Sequence, residues 1–398
     1  MMRVLTFSTL FPSSARPSHG IFVETRLREL LKSGQVASRV IAPVPWFPST
    51  HPRWGDYARM AATPATEQRH GIDVRHPRYV VIPKVGMNLA PALLARAALP
   101  ALRRLQAEGF DFDLIDAHYF YPDGVAAVAL ARALGKPVTI TARGTDINLI
   151  PQHAGPRRQI LDAVAGCSHM MTVCKALKDE LVALGAPDDK VTVLRNGVDL
   201  QLFHPEDREA ARQAHGMQGF CLASVGHLID RKGHHHVIAA LPQLPEVSLY
   251  VAGSGPLEQE LRELARSLGV AQRVFFLGNQ PQSVLRTLYS AVDALVLASS
   301  REGWANVLLE AMACGAPVVA SDVWGTPEVV AAPEAGVLMP ELSAAGVVAG
   351  VQRLRAALPE RAATRRYAEG FDWAPTTQGQ LDIFARLLAG PRAGAVHA

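Results

Sequence analysis

Cysteine is scarce. Four residues, Cys167, Cys174, Cys221 and Cys314, are scattered through 398. None stands at CxxC spacing and most sit in apolar runs, which excludes a disulfide framework and a zinc ribbon and predicts buried, reduced thiols in a cytosolic protein. Charge is sparse too: 19% of residues, with a formal net charge of +4. That balance suits phosphorylated or membrane-surface substrates but falls far short of a nucleic-acid footprint. No apolar run is long enough to span a bilayer. The run 4–11 after Arg3 resembles a signal peptide, but it is short and interrupted by Thr6, Ser8 and Thr9, so it reads as a first buried strand. Low-complexity tracts and short repeats are absent as well. The expectation is a soluble, cytoplasmic protein, or one resting at the inner face of a membrane.

What the chain has in quantity is apolar residues, 49% of the total, over a length that suits two buried cores rather than one. Strand-like and helix-like segments alternate, which predicts parallel sheets covered by helices. In the first half 4–8, 36–42, 114–118, 138–141, 170–173 and 191–194 read as strands, with helices over 22–33 and 125–134. The pattern restarts with strands at 220–226, 247–252, 274–277, 294–298 and 317–321. The turn at Asn196 and Gly197 marks the boundary. The predicted fold is α/β, two Rossmann-like doubly wound domains facing across a cleft: 1–197, 198–372, and a C-terminal segment 373–398. Trp373, Leu381, Phe384, Leu387 and Leu388 give that segment helical spacing. It covers the core or crosses back to the first domain, and a frayed tail follows from Gly390. Ligands of such sheets sit beyond the carboxyl ends of the strands.

Two segments carry the chemistry. In SSREGWANVLLEAMACGAPVVAS, residues 299–321, a strand ends, a loop holds Glu302, Gly303, Trp304, Ala305 and Asn306, and a helix from Val307 carries Glu310 one turn in. Amides at a helix start favour an anion, Gly303 admits close backbone approach, and a carboxylate can accept from two adjacent sugar hydroxyls. The plain alternative is a solvated Glu302 and a salt-bridged Glu310. In SVGHLIDRKG, residues 224–233, Lys232 beside a glycine turn makes a phosphate clamp, or an ordinary exposed lysine.

Together these segments resemble the retaining glycosyltransferases of family 4, of GT-B fold. Glu302 and Glu310 stand at that family's E-x7-E spacing and Lys232 at its phosphate-binding lysine. The likeness runs along nearly the whole chain through Gly20, AHYFYPDG (117–124), TARGTD (141–146), RNGVD (195–199) and GTPEVV (325–330). The resemblance implies an acceptor-side first domain and a nucleotide-sugar donor domain. Lys232 would contact the donor diphosphate, Glu310 the ribose, and Glu302 with the amides of Gly303, Trp304, Ala305 and Asn306 at the head of the Val307 helix the transferred sugar. His118 would face sugar and acceptor, and Gly20 would let the first loop approach the diphosphate. Arg143, Asp146 and Glu328 would support the site. No metal or other cofactor is expected. The acceptor would be a saccharide or lipid-linked saccharide, in bacterial surface polysaccharide or glycolipid synthesis. His227 stands where the family has an arginine, five residues before the lysine, so His227 or Arg231 must supply that contact. His19 and Gly20 replace a glycine pair. A nucleotide-sugar epimerase and a non-catalytic sugar-nucleotide binder are the rival readings.

Other signals are set aside. Asp111-Phe112-Asp113 is formally a DxD motif but reads as polar lead-in to a strand. His234, His235 and His236 are consecutive at a helix start and point apart. Gly253-Ser254-Gly255 lacks the third glycine of a dinucleotide fingerprint and reads as a turn near the phosphates. Residues 90–105, with Arg96, Arg103 and Arg104, form a packed helix or a basic amphipathic one touching an anionic membrane.

Overall fold

The computed structural model describes residues 1–17, 19–82 and 86–390; the expected tail beyond 390 lies outside them. Two compact units emerge. Met1–Arg195 joins with the chain from Ala374 onward, and Asn196–Trp373 forms the other.

The first unit holds an eight-stranded sheet. Across it lie Val191–Val193, His169–Thr172, Val138–Ala142, Leu114–His118, Met2–Phe7, Val36–Ile41, Ile72–Arg75 and Thr66–Arg69. All neighbours are parallel except the last pair, an antiparallel hairpin. From Met2–Phe7 the chain runs outward through Val36–Ile41, then returns to Leu114–His118 on the opposite side. That reversal creates a crevice at the carboxyl ends of Met2–Phe7 and Leu114–His118. The central strands Leu114–His118, Val138–Ala142 and His169–Thr172 are buried on both faces, so they read as apolar runs rather than alternating ones.

The second unit repeats the plan with six parallel strands: Val274–Gly278, Val247–Ala252, Phe220–Val225, Ala294–Leu297, Val318–Ser321 and Gly336–Met339. Its reversal falls between Phe220–Val225 and Ala294–Leu297, paired at Leu222 with Ala294 and Ala223 with Leu295. The loops leaving those two strands are 226–233 and 298–305, the ones carrying Lys232 and Glu302.

Each unit has its own core. Leu222, Ile238, Leu249, Val251 and Val296 pack in the second, all fully buried. Burying a Leu or Ile contributes about 1.5–3 kcal/mol before entropy is counted. In the first, Val4, Val23, Leu27 and Leu30 pack against Leu381, Ile383 and Phe384. Those last three lie on the helix Ala374–Leu388, so the terminal helix completes the first unit's core. Gln380 on this helix is buried. It donates to Asp116 Oδ2 at 2.7 Å and accepts from Arg26 Nε at 3.1 Å.

Sequence periodicity misses short exposed or isolated strands. The hairpin Thr66–Arg69/Ile72–Arg75 and the edge strand Gly336–Met339 have too few buried residues to announce themselves. The helix Ala90–Ala107 turns Leu94, Ala98, Leu102 and Leu105 into the core and leaves Arg96, Arg103 and Arg104 exposed. One face of the helix is thus packed against the core. The four cysteines are buried and unbonded.

Gln380→Leu would strip Asp116 and Arg26 of a buried partner. The expected loss is about 1–3 kcal/mol of unfolding free energy, read as a lowered urea midpoint with unchanged m. An unshifted midpoint would show that Arg26 and Asp116 re-pair without it.

Candidate active site

Lys232 ends a single 3-10 turn, Asp230–Lys232, closed by Gly233 at φ 66°. A Cβ on Gly233 would lie 1.8 Å from the Ala298 carbonyl oxygen. Only glycine lets the turn press against the end of the strand Ala294–Leu297. The Ser300 amide donates to the Arg231 carbonyl at 2.9 Å, fastening the two loops together. Gly253, at φ 146°, packs its Cα against the Gly226 carbonyl, and Leu228 N donates to Ser254 O at 2.9 Å. The glycine turn 253–255 thus supports the lysine loop from behind.

Within that frame Lys232 Nζ lies 2.6 Å from Glu302 Oε1, and Arg231 Nη1 lies 3.8 Å from Oε2. Ser299 Oγ donates to Oε1 at 2.7 Å. Burial alone would raise the Glu302 carboxyl, but Lys232, the Ser299 hydroxyl and Arg231 together hold it below its ordinary value. It is therefore ionised across the neutral range. Arg231 also donates to the Arg301 carbonyl at 2.8 Å. His227 is exposed, so the structure brings Arg231, rather than His227, to the lysine and the carboxylate.

Glu302 and Gly303 lead through Trp304 and Ala305, both buried, into the helix Asn306–Ala313. Asn306 and Val307 are partly exposed at its start, and Asn196 Nδ2 donates to Asn306 Oδ1 at 3.3 Å. Glu310, one turn in, accepts from the Tyr289 hydroxyl at 3.2 Å. Burial pushes its carboxyl up to about 7. Neither acidic side chain is the solvated carboxylate of the plain reading, and the partner of Glu310 is a phenol, not a cation. Glu328 lies nearby in sequence order on the short helix Thr326–Val329.

In the first unit, His118 ends its strand fully enclosed, 1% exposed. Nε2 faces Asp116 Oδ2 at 3.3 Å, and Nδ1 accepts from Arg143 Nη2 at 2.5 Å. Burial drives the imidazole down to about 4, partly opposed by Asp116, so it is neutral. Both ring nitrogens are engaged. Asp146 accepts from the amides of Phe120 at 2.7 Å, Gly144 at 2.7 Å and Arg143 at 3.1 Å, pinning the turns after both strands. Asp123 does the same for the first loop, accepting from Thr9 N at 2.7 Å and Ser8 Oγ at 3.2 Å. Gly20 caps the helix Ile21–Lys32 at φ 60°, and a Cβ there would sit 1.8 Å from Leu10 O.

Sequence reasoning missed Ser299, Tyr289, Asp116, Asp123, Arg26 and Gln380. Asp116 was findable, since alternate residues of one strand share a face. Tyr289, Arg26 and Gln380 come from distant segments and leave no local signal. The set-aside motifs hold structural contacts. Asp111 pairs with Lys136 at 2.9 Å and Asp113 accepts from Arg3 N at 2.7 Å. His234 turns inward to Ser224 at 2.8 Å, while the His235 and His236 rings meet at 4.0 Å.

Two Rossmann-like units of this topology define the GT-B fold class. The fold is similar to sucrose-phosphate synthase from Thermosynechococcus elongatus: TM-score 0.79, 20% identity, covering 98% of this chain and 100% of that one. It is also similar to HepE from Anabaena in complex with UDP and glucose: TM-score 0.73, 19% identity, 97% and 100% covered. Residues 55–202 match the profile of glycosyltransferase family 4 and 206–371 that of glycosyl transferases group 1. The putative teichuronic acid biosynthesis glycosyltransferase TuaC of Bacillus subtilis is 30% identical over 332 residues, 81% of this chain and 82% of that protein. A D-inositol 3-phosphate glycosyltransferase of Saccharomonospora viridis is 31% identical over 366 residues, 84% of each. The chain belongs to glycosyltransferase family 4 and is a glycosyltransferase.

The raised Glu310 carboxyl has a pH signature. A partly buried acid that keeps its proton above the unfolded value of 4.5 penalises the native state once the unfolded chain ionises. Glu310→Gln removes that penalty. Its stability advantage over the wild type should be absent below pH 4.5, grow as pH rises to about 7, and then level off. Paired thermal-melt series across that range measure it; a pH-independent difference would place Glu310 in water.

Proposed function

We propose that the protein is a retaining glycosyltransferase that moves a sugar from a nucleoside-diphosphate sugar to a saccharide or lipid-linked saccharide acceptor. The observation that carries this is the Lys232–Glu302 contact of 2.6 Å at the reversal point of the second sheet, with Arg231 alongside. The names of similar proteins support it: HepE is bound to UDP and glucose, and TuaC is assigned to teichuronic acid biosynthesis. Surface polysaccharide or glycolipid synthesis at the cytoplasmic face is the corresponding setting, and the unbonded thiols fit it.

Each side chain then has a part. The barrier to breaking the anomeric C–O bond is charge separation, positive on the ring and negative on the departing diphosphate. Lys232 and Arg231 supply fixed positive charge to the phosphate oxygens, and the amides opening the helix Asn306–Ala313 add its positive end. Glu302, held ionised, accepts from hydroxyls of the transferred sugar together with the amides of Gly303, Trp304, Ala305 and Asn306. Glu310 takes the ribose hydroxyls. Val307 lines the ribose side, and Glu328 supports the same loop. In the first unit Gly20 lets its own loop close on Leu10. His118 and Arg143, braced by Asp146, shape the sugar-facing end of the first sheet. On this reading the fixed cations and the helix amides supply the charge stabilisation, and the step requires no metal.

Lys232→Ala should slow transfer by about 100- to 1000-fold. It should also lower the melting temperature by several degrees, because Glu302 loses its nearest cation, while the far-UV CD spectrum stays native. Full turnover by this variant would remove the lysine from the mechanism. Anomeric proton couplings of the product should match those of the donor sugar; inverted product would overturn retention.

A further inference from the structure

Eight of the fourteen large apolar side chains that stand exposed among the described residues fall within residues 46–89. Trp46, Val80 and Leu89 are more than half exposed, and Trp54, Tyr57, Val81, Ile82 and Met87 are close to it. Trp46, Trp54, Tyr57, Val80 and Val81 line one surface. Val44–Pro45 pairs with Arg78–Tyr79, and Trp46 N donates to Tyr79 O at 2.7 Å, so the two segments run side by side. The Phe47 ring lies 5.5 Å from Trp54 and 5.2 Å from Tyr57. Between Trp46, Phe47, Trp54, Tyr57, Val80 and Val81 lies a groove of about 390 Å³. Gly86 N donates to Ile82 O at 2.9 Å, which carries the surface on to Met87 and Leu89. An exposed apolar surface of this extent on a soluble unit marks an interaction site.

Its charge surroundings select the partner. Arg53 lies over the Trp54 ring at 4.9 Å and is exposed, as are His51 and Arg59. Asp56 is the one acid in the segment 46–62, and it sits 3.4 Å from Arg59. The first unit's chain has 26 Lys and Arg against 17 Asp and Glu, net +9, whereas the second unit's has 14 against 19, net −5. A symmetric pairing of two copies would set Arg53 and Arg59 against themselves on two units of +9, since a two-fold interface meets its own patch. An anionic lipid surface takes the same features without conflict. Indole and phenol rings favour the headgroup level, and arginines beside them gain from the negative surface potential.

We propose that this face, residues 46–57 with 80–82 and 87–89, is a docking surface for an anionic lipid bilayer. The strands Val36–Ile41 and Ile72–Arg75 run parallel to Leu114–His118 and lead from their carboxyl ends into these segments. The surface therefore lies on the sheet edge that carries His118. A bilayer bound there meets the first unit on its ligand edge, which extends the reading of a lipid-linked acceptor while resting on none of the donor chemistry.

The test is sedimentation of the full chain with phosphatidylcholine vesicles, with and without phosphatidylglycerol, alongside its intrinsic tryptophan emission. The wild type should co-sediment with the mixed vesicles, shift its emission to the blue, and dissociate in high salt. A Trp46→Ala/Trp54→Ala double variant and an Arg53→Glu/Arg59→Glu double variant should each weaken binding about tenfold or more. All four substituted side chains are exposed, so melting temperatures should hold. Two results would overturn the proposal. One is a wild type that stays in the supernatant with both vesicle types. The other is a concentration-dependent dimer in gel filtration that the tryptophan variant abolishes, which would assign the face to a second copy. Because the readout is binding, failure here leaves the transferase reading standing, and failure of the Lys232 test leaves this one standing.

Discussion

A carboxylate and an ammonium 2.6 Å apart, both mostly withdrawn from water, organise the second unit's site. Withdrawing two charges costs several kcal/mol each, and their attraction compensates only when geometry and extra hydrogen bonds are favourable. Here the Ser299 hydroxyl, the Ser321-to-Ser299 contact at 2.6 Å beneath it and the Ser300-to-Arg231 backbone bond supply that geometry. A pair built this way is weak evidence of stability and better evidence of function. It keeps Glu302 ionised and holds Lys232 in one place.

The two carboxylates of the E-x7-E segment differ in electrostatic state although eight residues separate them. Glu302, beside two cations, is pulled down. Glu310, beside apolar neighbours and a phenol, is pushed up to about 7. Environment sets the state of each, as it does in other paired-acid sites. An ionised Glu302 is a pure acceptor. A protonated Glu310 can donate as well as accept.

The first unit uses a different economy. Its reversal point is lined by an enclosed network: Arg143, His118, Asp116, Gln380 and Arg26 in sequence. Such a network is rigid when fully satisfied and costly when broken. It links the ligand end of the sheet to a helix contributed by the far end of the chain. The apolar face at 46–89 belongs to the same unit and the same sheet edge, so this unit combines a fixed polar floor with a surface suited to lipid.

Much was legible in the amino-acid sequence alone. Continuous apolar runs announced the central strands because a parallel sheet is buried on both faces. Glycines announced the tight turns, as at Gly233, where a side chain would strike Ala298 O. The ordered motifs located Lys232, Glu302 and Glu310, because those residues are close in sequence to the strand ends that place them. Tertiary structure alone decided the rest. That Arg231 and not His227 reaches Glu302 depends on how a single 3-10 turn is wound. That both nitrogens of His118 are engaged depends on Arg143, 25 residues later. That Tyr289 meets Glu310 and Gln380 meets Asp116 depends on helices brought together by apolar burial, which is non-directional and leaves no spacing for a sequence to display.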